Sequence, residues 1–384
     1  MKFEFATATR IVFGAGAIAQ VGANLKTNRR RALVVTGRNP HRVEKLLANL
    51  SAGAIGITMF SVEGEPEIGR VETAVALAKK EKCDFVISLG GGSVIDAGKA
   101  IAAMLTNEGE LLDYLEIIGR GQTLKKRCAP FIAIPTTAGT GAEVTRNAVL
   151  ASAEHKVKVS LRSPLMLPSV AIVDPELTYE LPPALTASTG LDALTQLIEP
   201  YVCLRANPMT DGFCAEGIQR AARSLREAVF NGQNKSARED MAVASLLGGL
   251  ALANAGLGAV HGFAGPIGGM FPAPHGAVCA ALLPHVMIAN LRALQQRDVN
   301  NFALGRYQKV AALLTGDPQA TADDGVEWVQ ALVADMPLVR LGTYGIREEH
   351  IDDVVAKAAN ASSMKANPIG LTPDELAQIL REAL

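Results

Sequence analysis

Between Met241 and Asn290 the chain runs for fifty residues without an Asp, Glu, Lys or Arg. No other feature restricts the fold as strongly, because so long an uncharged stretch has to be covered by lipid or by protein. Its longest candidate for a membrane span, Val243 to Val260, is interrupted by Gly248, Gly249, Asn254, Gly256 and Gly258. His261, Pro266, Pro272 and Pro274 follow closely. A pair of helices buried in a water-soluble core is therefore expected. The stretch also holds His261, His275 and His285. Each needs a partner, since burying an unpaired polar group costs about 1–3 kcal/mol.

Elsewhere the texture differs. Up to about residue 180, short apolar runs alternate with helical patterns. Ala32–Thr36, Ile55–Phe60, Asp84–Leu89 and Phe131–Ile134 read as strands. Pro40–Leu50, with Val43, Leu46, Leu47 and Leu50 on one face, reads as a helix, as do Val71–Lys80 and Val94–Leu105. This β-α-β-α order predicts a mainly parallel sheet covered by helices. Beyond Pro182-Pro183 the chain is rich in Ala and Leu and reads as mostly helical. Neither proline donates a backbone hydrogen bond, so the pair marks the expected boundary between an α/β domain, 1–182, and an all-α domain, 183–384.

Composition narrows the function. With 37 Lys+Arg against 38 Asp+Glu, nothing draws the chain globally to nucleic acid or to an anionic membrane. Aromatic residues at 4% are too sparse for base-stacking platforms. Cys83, Cys128, Cys203, Cys214 and Cys279 form no CxxC pair and read as reduced thiols. The start, Met1-Lys2-Phe3-Glu4-Phe5, is charged too early for a secretory signal. A cytoplasmic protein is the expectation.

Three groups of residues carry the chemistry. Gly90-Gly91-Gly92-Ser93 joins a strand to a helix, where glycines let backbone N–H groups approach a phosphate at the positive end of the helix. Ser93 is placed to cap that helix, with Asp96 three residues on as in a capping box. The alternative is a plain βα turn, and the segment is not GxGxxG. Pro135 to Asn147 sets Thr136, Thr137, Thr140 and Thr145 among Gly139 and Gly141 at the carboxyl end of a strand, where α/β sheets bind ligands. Last, Asp192 opens an apolar helix, Leu191–Ile198, with Gln196 at i+4, while His261 and His275 lie fourteen residues apart. One carboxylate and two imidazoles suit a divalent metal with a position left open for substrate. A capping or hydrogen-bonded acid and two ordinary core histidines would serve the same pattern.

These groups, in this order, resemble the iron-containing (group III) alcohol dehydrogenase family. Gly90–Lys99 is similar to its GGGSxxDxxK element and Thr136–Thr145 to its TTxGTxxExT element. Val173–Leu177 before Leu181-Pro-Pro183, the pair His261 and His275-Gly276, and the tail Ala366–Thr372 also match. The resemblance implies a dehydroquinate synthase-like fold: an α/β nucleotide-binding domain with a mainly parallel sheet, then a helical metal- and substrate-binding domain. It implies an NAD(P)-dependent enzyme that interconverts a small alcohol with an aldehyde or ketone, working as a dimer or larger homo-oligomer, with no nucleic-acid or membrane partner. Gly37, Arg38, Asn39, Gly91, Gly92, Ser93, Asp96, Thr136, Thr137, Thr140, Asn147, Lys158 and Leu177 would bind the cofactor. Asp192, His261 and His275 would be catalytic by holding Fe²⁺ or Zn²⁺, with Gln196 as a further ligand. The rival activities it implies are a metal-independent reductase of an oxo-acid similar to maleylacetate reductase, and a lyase on the same scaffold.

Two positions depart from the family pattern. Gln196 and Gly265 stand where iron-binding members usually have histidine, each four residues after another ligand. After the first predicted strand, NAD-preferring members often carry an Asp. Here Gly37-Arg38-Asn39 follows, with Arg42 a turn later, which favours NADP(H).

Overall fold

The computed structural model describes residues 2–22, 31–38, 43–155 and 157–384. Asn39 and Arg42 lie outside the described residues. The chain forms two compact units. One comprises residues 6–137 and 141–179; the other comprises 180–384 together with 138–140 and a short N-terminal stretch ending at Phe5.

The first unit contains β1 (Ile11–Phe13), β2 (Arg31–Thr36), α1 (Glu44–Ala52), β3 (Gly56–Ser61), α2 (Ile68–Lys80), β4 (Phe85–Gly90), α3 (Gly92–Thr106) and β5 (Phe131–Pro135). β6 (Asn147–Ser152), β7 (Val157–Arg162) and β8 (Val170–Val173) complete it. Six strands form one sheet in the order β1-β8-β5-β4-β2-β3, and every neighbouring pair is parallel. β6 and β7 pair separately as an antiparallel hairpin. The four strands expected from sequence appear within one or two residues, because a parallel sheet is buried on both faces and its strands are continuously apolar. Alternate residues serve opposite faces: Leu33, Val35 and Val86 enter one core cluster, and Ala32, Val34, Phe85 and Ile87 the other.

The winding reverses beside β2. β3 lies on one side of it and β4, the next strand in sequence, on the other. Such a reversal brings two βα turns together at the carboxyl ends of the strands, here those after β2 and β4. α3 packs tightly on the sheet because Gly98 has no side chain. A Cβ there would come within 2.0 Å of Ser88 Oγ and 2.7 Å of the Phe131 ring.

The second unit contains α4 (Pro183–Val202), α5 (Pro208–Phe230), α6 (Lys235–Asn254), α7 (Ala259–Met270), α8 (His275–Arg297), α9 (Phe302–Thr315), α10 (Ala322–Asp335), α11 (Ile351–Ala359) and α12 (Pro373–Ala383). The helical expectation for 183–384 is met. The uncharged stretch, however, is not a helix pair. It supplies the last two-thirds of α6, all of α7 and the first two-thirds of α8, with a 96° bend between α6 and α7. Glycines and the 255–258 break account for the extra segment. α8 is long and apolar enough to cross a membrane. It is instead a core helix, with Val278, Leu282, Leu283, Val286, Leu291 and Leu294 buried in the helical cluster.

Candidate metal centre and nucleotide cradle

In the α/β unit the glycine-rich turn forms the expected helix entrance. α3 begins at Gly92, and Gly91 is its N-cap, in extended backbone. The first N–H groups of α3 therefore lack partners within the helix. Thr136 N–H donates to Gly90 O at 3.0 Å, which joins this turn to the threonine-rich loop after β5. A Cβ on Gly91 would lie 3.5 Å from the Thr137 side chain. Gly37 and Arg38 follow β2 at the same sheet edge, and a Cβ on Gly37 would lie 3.9 Å from Val94.

The expected capping box does not form. Ser93 lies inside α3 and makes no cap, because glycine already fills the N-cap position. Asp96 accepts instead from Lys99 Nζ at 3.2 Å and from Val149 N–H at 3.0 Å. Lys99 is fully buried and also donates to Thr145 Oγ1 and to the Asn147 carbonyl. Asn147 and Asp96 are thus tied into one cluster, and Glu143 is buried beside it. Burial, only partly offset by its own backbone N–H and by Lys99, pushes the Glu143 carboxyl up to about 7. Lys158 pairs with Glu65 at 2.8 Å. Arg38 is exposed and pairs with Glu63 at 2.7 Å. Leu177 sits in the turn Pro175–Thr178, against the second core cluster of the sheet. Thr140 packs with the helical unit.

In the helical unit, α4 starts at Pro183, whose fixed φ suits a first helical turn. Asp192 therefore sits mid-helix rather than at its opening, with its side chain buried. His261 comes from the first turn of α7, and His275 is the first residue of α8. Gly276 lets α8 reach α4: a Cβ there would lie 2.3 Å from the Ser188 carbonyl oxygen. Asp192 Oδ1 is 3.3 Å from His261 Nε2 and 3.6 Å from His275 Nε2. Among the described residues no hydrogen bond satisfies this buried oxygen.

Two residues that sequence reasoning missed complete the centre. Glu199, two helical turns after Asp192 on α4, places Oε2 2.7 Å from His261 Nδ1 and accepts the Val260 N–H through Oε1. That carboxylate fixes the Nδ1 side of the ring and turns Nε2 toward the cluster, the arrangement found behind metal-ligating histidines. The available signal was a second acid on an otherwise apolar helix. Cys279, one turn after His275, places Sγ 3.7 Å from His275 Nε2 and 3.9 Å from His261 Nε2. One donor atom each from Asp192, His261, His275 and Cys279 lie within 4.8 Å of one another. The i,i+4 spacing of His275 and Cys279 was visible in the sequence.

Burial opposes ionisation of Asp192, but the facing imidazoles of His275 and His261, with Cys279, outweigh it and hold the carboxyl below its usual range. Burial likewise opposes charging of His261. Cys279, Asp192 and Glu199 outweigh it and raise that imidazole well above its usual range. An orphaned buried oxygen facing two nitrogens and a sulfur is a donor set for a divalent transition cation. Gln196 is buried on the same helix, but its Nε2 donates to Gly139 O at 3.1 Å. His285 lies 3.3 Å from Glu382 and outside the cluster.

Comparison with known proteins agrees with this geometry. Residues 8–175 match the family described as iron-containing alcohol dehydrogenase, and residues 186–384 match its C-terminal domain. The chain belongs to the iron-containing alcohol dehydrogenase family. It is 37% identical over 391 residues to 1,3-propanediol dehydrogenase of Citrobacter freundii, covering 99% of this chain and 98% of that one. To alcohol dehydrogenase 4 of Schizosaccharomyces pombe it is 35% identical over 379 residues, covering 97% and 87%. A crystal structure of a 1,3-propanediol oxidoreductase superposes with a TM-score of 0.93 at 36% identity, covering both chains fully. This member of the family is accordingly an oxidoreductase that interconverts an alcohol with an aldehyde or ketone by hydride transfer, using NAD(P) and a metal.

Proposed function

We propose that Asp192, His261 and His275 hold the divalent metal, and that the substrates are small primary alcohols, short diols included, of the kind named for the relatives. The observation that carries this reading is the convergence of two imidazole nitrogens on the unsatisfied Asp192 Oδ1. When bound, the metal supplies Lewis acidity, which lowers the pKa of an alcohol oxygen. The chain's own residues do the rest. Glu199 keeps the His261 ring turned so that Nε2 faces the cluster. The α3 entrance, with Gly91, Gly92, Ser93, Thr136 and Thr137, receives the pyrophosphate on backbone N–H groups and hydroxyls. The protein positions the nicotinamide, and the hydride chemistry belongs to the cofactor. A Cβ at Gly265 would meet nothing within 4 Å, so a turn of α7 next to His261 is left open for the substrate's carbon chain.

Metal analysis of the purified protein beside Asp192→Ala tests the assignment. Loss of the metal and a fall in alcohol turnover of roughly 10³-fold are expected, the equivalent of several kcal/mol of charge stabilisation. Unchanged turnover in a metal-free protein would overturn it, and activity on unsaturated oxo-acids would then identify the reductase alternative.

For the nucleotide we propose NADP(H). Gly37 removes the acid that would repel a 2′-phosphate, and Arg38 is a cation whose exposed pairing with Glu63 holds it only weakly. Arg38→Ala should lower kcat/KM for NADP⁺ relative to NAD⁺ by about tenfold, one charged hydrogen bond's worth. An unchanged ratio would refute the preference.

A further inference from the structure

We infer that Cys279 is the fourth protein ligand of the metal, and that its thiolate biases the centre toward Zn²⁺. The inference rests on the metal site proposed above. Two donor atoms sharing one tetrahedral zinc, each at about 2.0–2.3 Å from it, lie about 3.3–3.6 Å apart. The separations from Asp192 Oδ1 to the two imidazoles, 3.3 and 3.6 Å, fall in that range, and those from Cys279 Sγ to the same two nitrogens, 3.7 and 3.9 Å, lie 0.1–0.3 Å beyond it. The longer pair is the one involving sulfur, as the longer metal–sulfur bond requires. The observations are independent. The sulfur is fully buried, while the orphaned Asp192 oxygen is buried on a different helix and faces the same two nitrogens.

Gln196 is the competing occupant of the fourth position. It would ligate through its amide oxygen, with its nitrogen donating to the Gly139 carbonyl, whereas Cys279 Sγ already lies 3.7–3.9 Å from both imidazole nitrogens and in one donor group with Asp192. The other thiols belong to no such donor set: among the described residues only Cys279 joins a group that could hold an ion. On coordination the thiol gives its proton to solvent and binds as thiolate. A soft thiolate with two imidazoles and one carboxylate suits zinc, which can still expand to five ligands.

The test is spectroscopic and does not read turnover. The protein stripped of metal and reloaded with Co²⁺ should show a thiolate-to-cobalt charge-transfer band in the near ultraviolet beside the visible d–d bands. Cys279→Ser should lose the first and keep the second, while Cys203→Ser and Gln196→Ala keep both. X-ray absorption of the Zn²⁺ form should show one sulfur at about 2.3 Å, absent in Cys279→Ser. The Zn²⁺ dissociation constant of that variant should rise at least tenfold. Bound cobalt with no charge-transfer band, or zinc with no sulfur neighbour, would overturn the inference and leave the Asp–His–His site standing. Failure of the wild-type protein to bind either metal would overturn both.

Discussion

In the α/β unit the Lys99 ammonium is enclosed and donates to Asp96, Thr145 and the Asn147 carbonyl, so a buried charge is fully partnered from within the chain. In the helical unit Asp192 and Cys279 are buried beside His261 and a partly exposed His275, yet one Asp192 oxygen has no hydrogen bond among the described residues. Both clusters sit on glycine-adjusted helices, and both carry the motifs that the sequence singled out. What separates them is completeness. A buried polar cluster that is satisfied by its own side chains holds structure together, whereas one that leaves a donor atom unsatisfied points to a ligand.

The largest test falls on the closed cluster. Lys99→Met leaves Asp96 and Glu143 buried without their cation and should cost about 3–5 kcal/mol of stability, read by urea denaturation. A loss below about 1 kcal/mol would show that the cluster is not held by that charge. The metal content of the folded fraction should not change.

A smaller effect concerns pH. The Glu143 carboxyl titrates near 7 in the folded chain, against an ordinary value of 4.5. The folded state therefore holds this proton more tightly than the unfolded state. Its contribution to stability is complete below about 4.5 and is lost as the pH rises toward 7. Glu143→Gln should abolish that slope, a difference on the order of 2–3 kcal/mol across the window, measured as unfolding free energy against pH. If the variant keeps the full slope, another group is responsible.

Smallest, and on the open cluster, Glu199→Gln removes the carboxylate behind His261. Metal affinity should fall by about 10–100-fold with the fold intact, as judged by metal titration beside circular dichroism. Unaltered affinity would mean that Glu199 only anchors the start of α7 through Val260 N–H.

The architecture and half of the centre were legible in the chain. Strand periodicity and the glycine turn after β4 need only local rules, since they depend on which residues can adopt a conformation and which faces must be covered. Asp192, His261 and His275 stood out because charged or titratable groups are rare in apolar segments. Ser93 misled, since glycine and serine both serve as caps and only the backbone path shows which one does. Glu199 and Cys279 could not be assigned from spacing. Their roles depend on α4, α7 and α8 meeting at Gly276 and Gly258, where side-chain-free backbone brings positions distant in sequence within a few ångströms. Local chemistry named the elements and the candidate donors. The close approach of three helices decided which donors face one another, because that distance is a property of packing and not of any segment alone.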